Sequence, residues 1–187
     1  MIHSVRFTCV LDTNIIVPIE VRDLLFWFAH FDLYTVKWSK HIFDEWVTVM
    51  ERMDVPVAEI EKRIGWANKA FPDAMVNNYE QLINSLELPD EKDKHVLAAA
   101  IKTNANVIVT NNIKDFPKDY LSSYGLSAKT ADDFLTDTID LNPDIAVKSF
   151  RKLVMNKTNP EMDEYAVLDA LRKNGLKDTA DYLHALL

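Results

Sequence analysis

A single cysteine in 187 residues, Cys9, excludes a disulfide within the chain and points to a reducing compartment. Three glycines and seven prolines leave no room for a low-complexity linker, and neither a glycine-rich phosphate loop, a nucleophile elbow nor a CxxC pair occurs. No repeat recurs at the usual solenoid periods. Long hydrophobic runs are missing as well. No run exceeds the length of Leu24 to Ala29, far too short to span a bilayer, and the opening stretch MIHSVRFTCVLD has no basic segment followed by an apolar one. The expectation is a cytoplasmic protein without a membrane segment. Positive charge is also scarce. With 21 Lys and Arg against 29 Asp and Glu, the net charge of −8 argues against a broad electrostatic footprint for nucleic acid. Any such role falls to a local basic patch, with Lys37, Lys40, Arg52, Lys62, Arg63, Lys69, Lys92, Lys94, Lys114 and Lys118 as candidates.

Apolar residues are plentiful. At 48% hydrophobic and 10% aromatic, the chain can bury a substantial core, and its length suits one domain, or one domain with a small appendage. Residues Phe7 to Leu11 read as a short buried strand running into Asp12, Thr13 and Asn14. A helix is expected over Arg22 to Phe31 and a second strand over Leu33 to Val36. Ser39 is placed to cap a helix from Lys40 to about Met53, and Pro56 suits the first turn of another, ended by Pro72. Asp90 opens a helix to about Asn104, followed by the strand Asn106 to Thr110. This alternation predicts a three-layer α/β/α fold with a short, mostly parallel central sheet. Sites in such sheets lie beyond the carboxyl ends of the strands, where Asp12 and the loop Asn111 to Asp115 fall. After a short helix over Thr130 to Thr138, three helical stretches follow without a strand, so the expected division is 1–138 for the α/β domain and 139–187 for a helical extension.

Four acids in separate segments carry the chemistry. At about 100° per residue, Asp90 and Asp93 share one helix side with Val96, Leu97, Ala100 and Ile101. Capping accounts for Asp90, but a core-facing Asp93 is costly without a partner, and a metal ion removes that cost. Asp12 ends a buried strand, where an Asx turn or a helix cap linking strand to helix is the plainer reading. A phosphatase nucleophile at Asp12 would want a second Asp two residues on, where this chain has Asn14. Glu45 and Asp44 flank opposite edges of one apolar helix arc, and periodicity barely separates them. Asp115 lies just past a strand and serves equally as a cap for a helix after Pro117. Converging carboxylates repel one another unless cations sit between them, and hard oxygen ligands suit Mg²⁺ or Mn²⁺. The five histidines, His3, His30, His41, His95 and His184, show no paired ligand spacing and read as surface or packing residues.

Together the segments Val10 to Ile15, Ser39 to Glu45, Asp90 to Ala100, and Val107 to Asn112 with Asp115, Phe116 and Pro117 resemble the PIN domain family of metal-dependent nucleases, over roughly residues 5 to 137. The resemblance implies an acidic site of Asp12, Glu45, Asp93 and Asp115 acting both in catalysis and in holding one or two Mg²⁺ or Mn²⁺ ions. It favours Glu45 over Asp44, and it puts Asp90, Thr13, Asn14 and Asn111 or Asn112 in support. Within the family the chain is similar to VapC-type toxins, which are ribonucleases, and to a subgroup carrying a C-terminal helical extension. That implies an RNA substrate, a small antitoxin protein as partner and a homodimer. Two other classes stay open: an RNA-binding or assembly module with little cleavage, and a structure-specific DNA nuclease.

Overall fold

The computed structural model describes residues 7–187, so His3 and the reading of the first six residues lie outside it. The first strand, β1 (Thr8–Leu11), enters a one-turn helix α1 (Thr13–Ile16) and then α2 (Ile19–His30). Next come β2 (Thr35–Ser39), α3 (Lys40–Arg52), α4 (Val57–Ala70), β3 (Met75–Val76) and the short α5 (Glu80–Ile83). A 3₁₀ turn over Glu91–Asp93 leads into α6 (Lys94–Lys102), then β4 (Val107–Val109), a second 3₁₀ turn over Ile113–Asp115, α7 (Lys118–Ser122) and β5 (Ser127–Lys129). Four helices complete the chain: α8 (Ala131–Leu141), α9 (Pro143–Met155), α10 (Glu164–Lys173) and α11 (Lys177–Leu186).

All five strands are parallel, in the order β3-β2-β1-β4-β5. Cys9, Val10 and Leu11 of the middle strand are wholly buried, as a parallel strand covered on both faces requires. Helix α6 packs on β1, β2 and β4, and α3 packs on β2. From β1 the chain moves outward through β2 to β3, then returns to the other side of β1 for β4 and β5. Strand order therefore reverses between β1 and β4, and their carboxyl ends flank a crevice. The second strand lies a few residues later than expected. Leu33 still belongs to the turn closing α2, where its N–H bonds Phe28 O at 3.1 Å after Asp32 takes a left-handed φ of 63°. The strand then runs on through the buried Trp38.

Helix α3 begins where its sequence says. The Ser39 hydroxyl accepts from Ile42 N at 3.3 Å, and Ile42, Phe43, Trp46 and Met50 form its buried face. The C-terminal helices pack onto the α/β layer through α9 and α10, both against α2, while α11 lies on α8 and α10. Asp132 of α8 accepts from Thr179 N at 2.8 Å and Asp178 N at 3.0 Å, so one helix caps another across 47 residues of chain. Lys157 Nζ meets Asp23 of α2 at 2.8 Å. Helix α8 continues unbroken across residues 138 and 139. Among the described residues no helix is long and apolar enough to cross a membrane.

Candidate active site

Asp12 leaves the carboxyl end of β1 and its side chain turns back into the crevice. Its backbone N–H continues the ladder to Val109 O at 3.0 Å, which fixes it beside the end of β4. Asp12 is only 4% exposed, and both oxygens of its carboxylate accept hydrogen bonds. Oδ1 accepts from Thr13 N at 2.6 Å, and Oδ2 accepts from Thr110 Oγ1 at 2.7 Å and from Asn14 Nδ2. Burial pushes its proton affinity up, with Glu45 adding, against the downward pull of the Thr110 and Thr13 hydrogen bonds. Through the Thr13 N bond Asp12 is also the N-cap of α1, the helix-cap alternative that its sequence position offers.

Thr110 was not singled out by its sequence, and it is the hub of this end of the sheet. Its hydroxyl donates to Asp12 and accepts from Asn112 N at 3.0 Å and Asn14 Nδ2 at 3.1 Å. Asn14 Oδ1 in turn accepts from Asn111 N at 2.9 Å. Asn111 and Asn112 therefore bond to the site through their backbones, while Asn14 does so through its side chain.

Asp93 closes the 3₁₀ turn at the start of α6 but caps nothing with its side chain. Its Oδ2 is buried and has no hydrogen-bond partner. Burial, then the charges of Asp12, Asp90 and Asp115, push its pKa up to about 6. Asp90 is exposed and accepts from Lys92 N at 2.9 Å, which is the capping role its position suggests. Asp115 is half-buried at the end of its 3₁₀ turn. It does not cap α7, whose N-terminus follows Pro117 with no side-chain cap, and it reaches the site through its charge on Asp93.

Glu45 comes from α3. Its Oε2 accepts from Thr13 Oγ1, and its Oε1 lies 3.1 Å from His95 Nε2. Burial raises its proton affinity, but the His95 and Thr13 hydrogen bonds and the nearby histidines outweigh that and hold it below the ordinary range. Asp44, its rival in sequence, is exposed and paired with Lys40 at 2.7 Å. His95 corrects its expectation as a mere packing residue. It is 8% exposed and its ring faces the site acid 50 positions earlier in the chain. His41 stands beside it, with ring centroids 5.3 Å apart.

Asp12, Thr13, Asn14, Asp44, Glu45, Asp93 and Asn112 line one open cleft of about 670 Å³, with Val17, Pro18, Val49 and the exposed Arg52 toward its outer wall, while Asp90, Asn111 and Asp115 do not line it. Among the described residues no three His, Cys, Asp or Glu side chains form a ready-made ion cage. Hard divalent cations such as Mg²⁺ take oxygen ligands, keep several waters and bind through one or two carboxylates and the phosphates of a substrate. The unpartnered oxygen of Asp93, near the fixed carboxylate of Asp12, fits such an open, hard-oxygen site.

Acids gathered where a parallel α/β/α sheet reverses its strand order define the class. Residues 8–114 match the PIN domain family, and the chain belongs to it. Residues 131–185 match the VapC50 C-terminal domain. A relative from Mycobacterium tuberculosis named "Putative ribonuclease VapC50" is 42% identical over 80 residues. That match covers 43% of this chain and 47% of the relative, about half the length of each. No solved structure matches.

Proposed function

We propose that this chain is a divalent-metal-dependent endoribonuclease that hydrolyses RNA phosphodiester bonds, acting as the toxin of a toxin–antitoxin pair. The observation that carries this reading is Asp93, whose buried oxygen lacks a partner in a cleft shared with Asp12 and Glu45. The relative's name, which describes a ribonuclease, and the separate match of the C-terminal helices to that relative's type of domain support it. Asp12 and Asp93 would hold one or two Mg²⁺ or Mn²⁺ ions, with Glu45 and Asp115 completing the acidic set. When bound, such an ion polarises the phosphoryl oxygen and lowers the pKa of a water.

The chain's own residues do the rest. Thr110, Thr13 and Asn14 hold the Asp12 carboxylate in one orientation, so no reorganisation is needed when substrate arrives. Glu45, kept ionised, can accept a proton from a water in the cleft. Arg52, on the cleft's outer wall, meets the flanking RNA strand, which lets an acidic protein bind a polyanion locally. A small antitoxin protein would block the cleft. A homodimer, a cytoplasmic location, and the division into a nuclease domain, 1–138, and a helical extension, 139–187, belong to the same reading.

One observation favours a second reading, an RNA-binding or assembly module with little cleavage: three hydrogen bonds already engage the Asp12 carboxylate. Incubating a structured RNA and a matched DNA with the purified protein in Mg²⁺, Mn²⁺ or EDTA, beside Asp93→Asn, separates the two. The nuclease reading requires RNA cleavage that EDTA abolishes and that Asp93→Asn lowers by at least ~100-fold, the upper range for disturbing a metal site. RNA binding without cleavage in either metal would favour the module, and preferential cutting of the DNA would make the chain a DNA nuclease.

A further inference from the structure

Glu45 is the site acid least fixed by its own helix. It sits at the edge of the apolar face of α3, its side chain is 44% exposed, and a glutamate in such a place ordinarily samples several rotamers in water. Here both oxygens are held. Oε2 takes the Thr13 hydroxyl, and Thr13 N in turn donates to Asp12 Oδ1 at 2.6 Å. Oε1 takes His95, which stands in the first turn of α6, two residues past Asp93.

Beside its ring contact with His41, His95 makes one side-chain hydrogen bond, the one to Glu45. Its Nδ1 is buried with no partner, so the single hydrogen-bonding neighbour of the ring is the Glu45 carboxylate. Whichever protonation state the ring holds, the proton that faces the carboxylate is the one on Nε2, an assignment that follows from the hydrogen-bond network. Hydrogen bonds to a carboxylate are among the stronger kinds, and this one is shielded from water on the histidine side.

We propose that His95 is a positioning residue, the second jaw of a Thr13–His95 clamp that points Glu45 into the cleft and joins Asp12, Glu45 and the start of α6 in one frame. The clamp is a statement about where Glu45 is held; its effect on rate rests on the nuclease reading above.

Two measurements test it. In the metal-free protein, ¹⁵N NMR of the His95 ring should show a proton on Nε2 in slow exchange with water, and Glu45→Ala should abolish the slow exchange. In RNA cleavage, His95→Ala should lower kcat by ~10–100-fold, as loss of an outer partner at a metal site does, with KM within about twofold. His95→Gln, which carries an amide N–H near the Nε2 position, should recover most of that loss, and the shorter His95→Asn should not. Thr13→Ser and Thr13→Val should behave as the matching pair on the other oxygen. A merely structural role would lower the thermal midpoint of the Ala and Gln variants alike and follow stability. Wild-type kcat in His95→Ala, equal loss in Ala and Gln at equal thermal midpoints, or a fast-exchanging Nε2–H in the wild type would each overturn the proposal. If the wild type cuts no RNA, the nuclease reading fails and the NMR result alone decides the clamp.

Discussion

Asp93 is the side chain whose energy depends most on what else occupies the cleft. In the folded, metal-free protein it keeps its proton up to about pH 6, whereas an unfolded aspartate releases it near the ordinary carboxylate value. The folded state therefore binds more protons between those two values, and stability falls as pH rises through that window. Removing the charge removes the penalty. In EDTA, Asp93→Asn should melt above the wild type at about pH 7.5 and level with it near pH 4, close to the free aspartate value. Adding Mn²⁺ at the higher pH should raise the wild type by mass action and leave the variant nearly unmoved. An equal difference between the two proteins at both pH values would show that Asp93 carries no such cost. Asp12 and Asp93 stood out in the sequence because one ends an apolar strand and the other lies on an apolar helix face, whereas Glu45 and Asp115 needed the family resemblance to single them out. Thr110 and His95 did not stand out. Their meaning lies in partners 98 and 50 positions away, and neither a threonine after a strand nor a histidine within an apolar helix breaks any local rule.

Helix α3 joins the sheet to the cleft. Glu45, Val49 and Arg52 are spaced by four and three residues, so they form one ridge from the acids to the outer wall. Arg52→Gln should weaken RNA binding in EDTA uniformly across sequences. It should also reduce the slope of log affinity against log salt by ~0.7, the share of one phosphate contact on a single strand. An unchanged slope would take Arg52 off the strand's path. The buried Ser39 cap sets where this ridge starts, and Ser39→Ala should cost about 1 kcal/mol in urea denaturation. A capping residue and an amphipathic period make α3 legible from its sequence alone. By contrast β3, two residues long, and β5, the sequence Ser127-Ala128-Lys129, carry no period of their own. Pairing creates them: Trp38 N reaches Ala74 O at 3.1 Å, and β5 is defined by its register with β4. The four- and five-residue helices α1, α5 and α7 are likewise too short to show a helical repeat.

At the scale of the whole molecule, the C-terminal helices share buried surface with α2 instead of forming a separate core, through Phe150, Leu153, Val167 and Leu171 among others. Phe150→Ala should cost ~3–5 kcal/mol and lower the stability of the α/β layer as well as of the extension. Trp27, Trp38, Trp46 and Trp66 all precede the extension, so tryptophan fluorescence reports on the first layer alone while far-UV circular dichroism reports on every helix. The two signals should fall at one urea midpoint in both proteins. Helix lost ahead of fluorescence would mean that the extension unfolds independently.

The bond from Thr110 to Asp12 spans 98 residues, and it exists only once β4 has paired with β1. Contacts of such high sequence separation form late, because the loop between them must close first. During synthesis, a ribosome-bound chain therefore lacks an oriented Asp12 until residues well past Thr110 have emerged, by which point most of the protein has been made. The fold itself delays the assembly of the acidic cleft, so whatever chemistry the cleft carries waits until β4 has been made and has paired with β1.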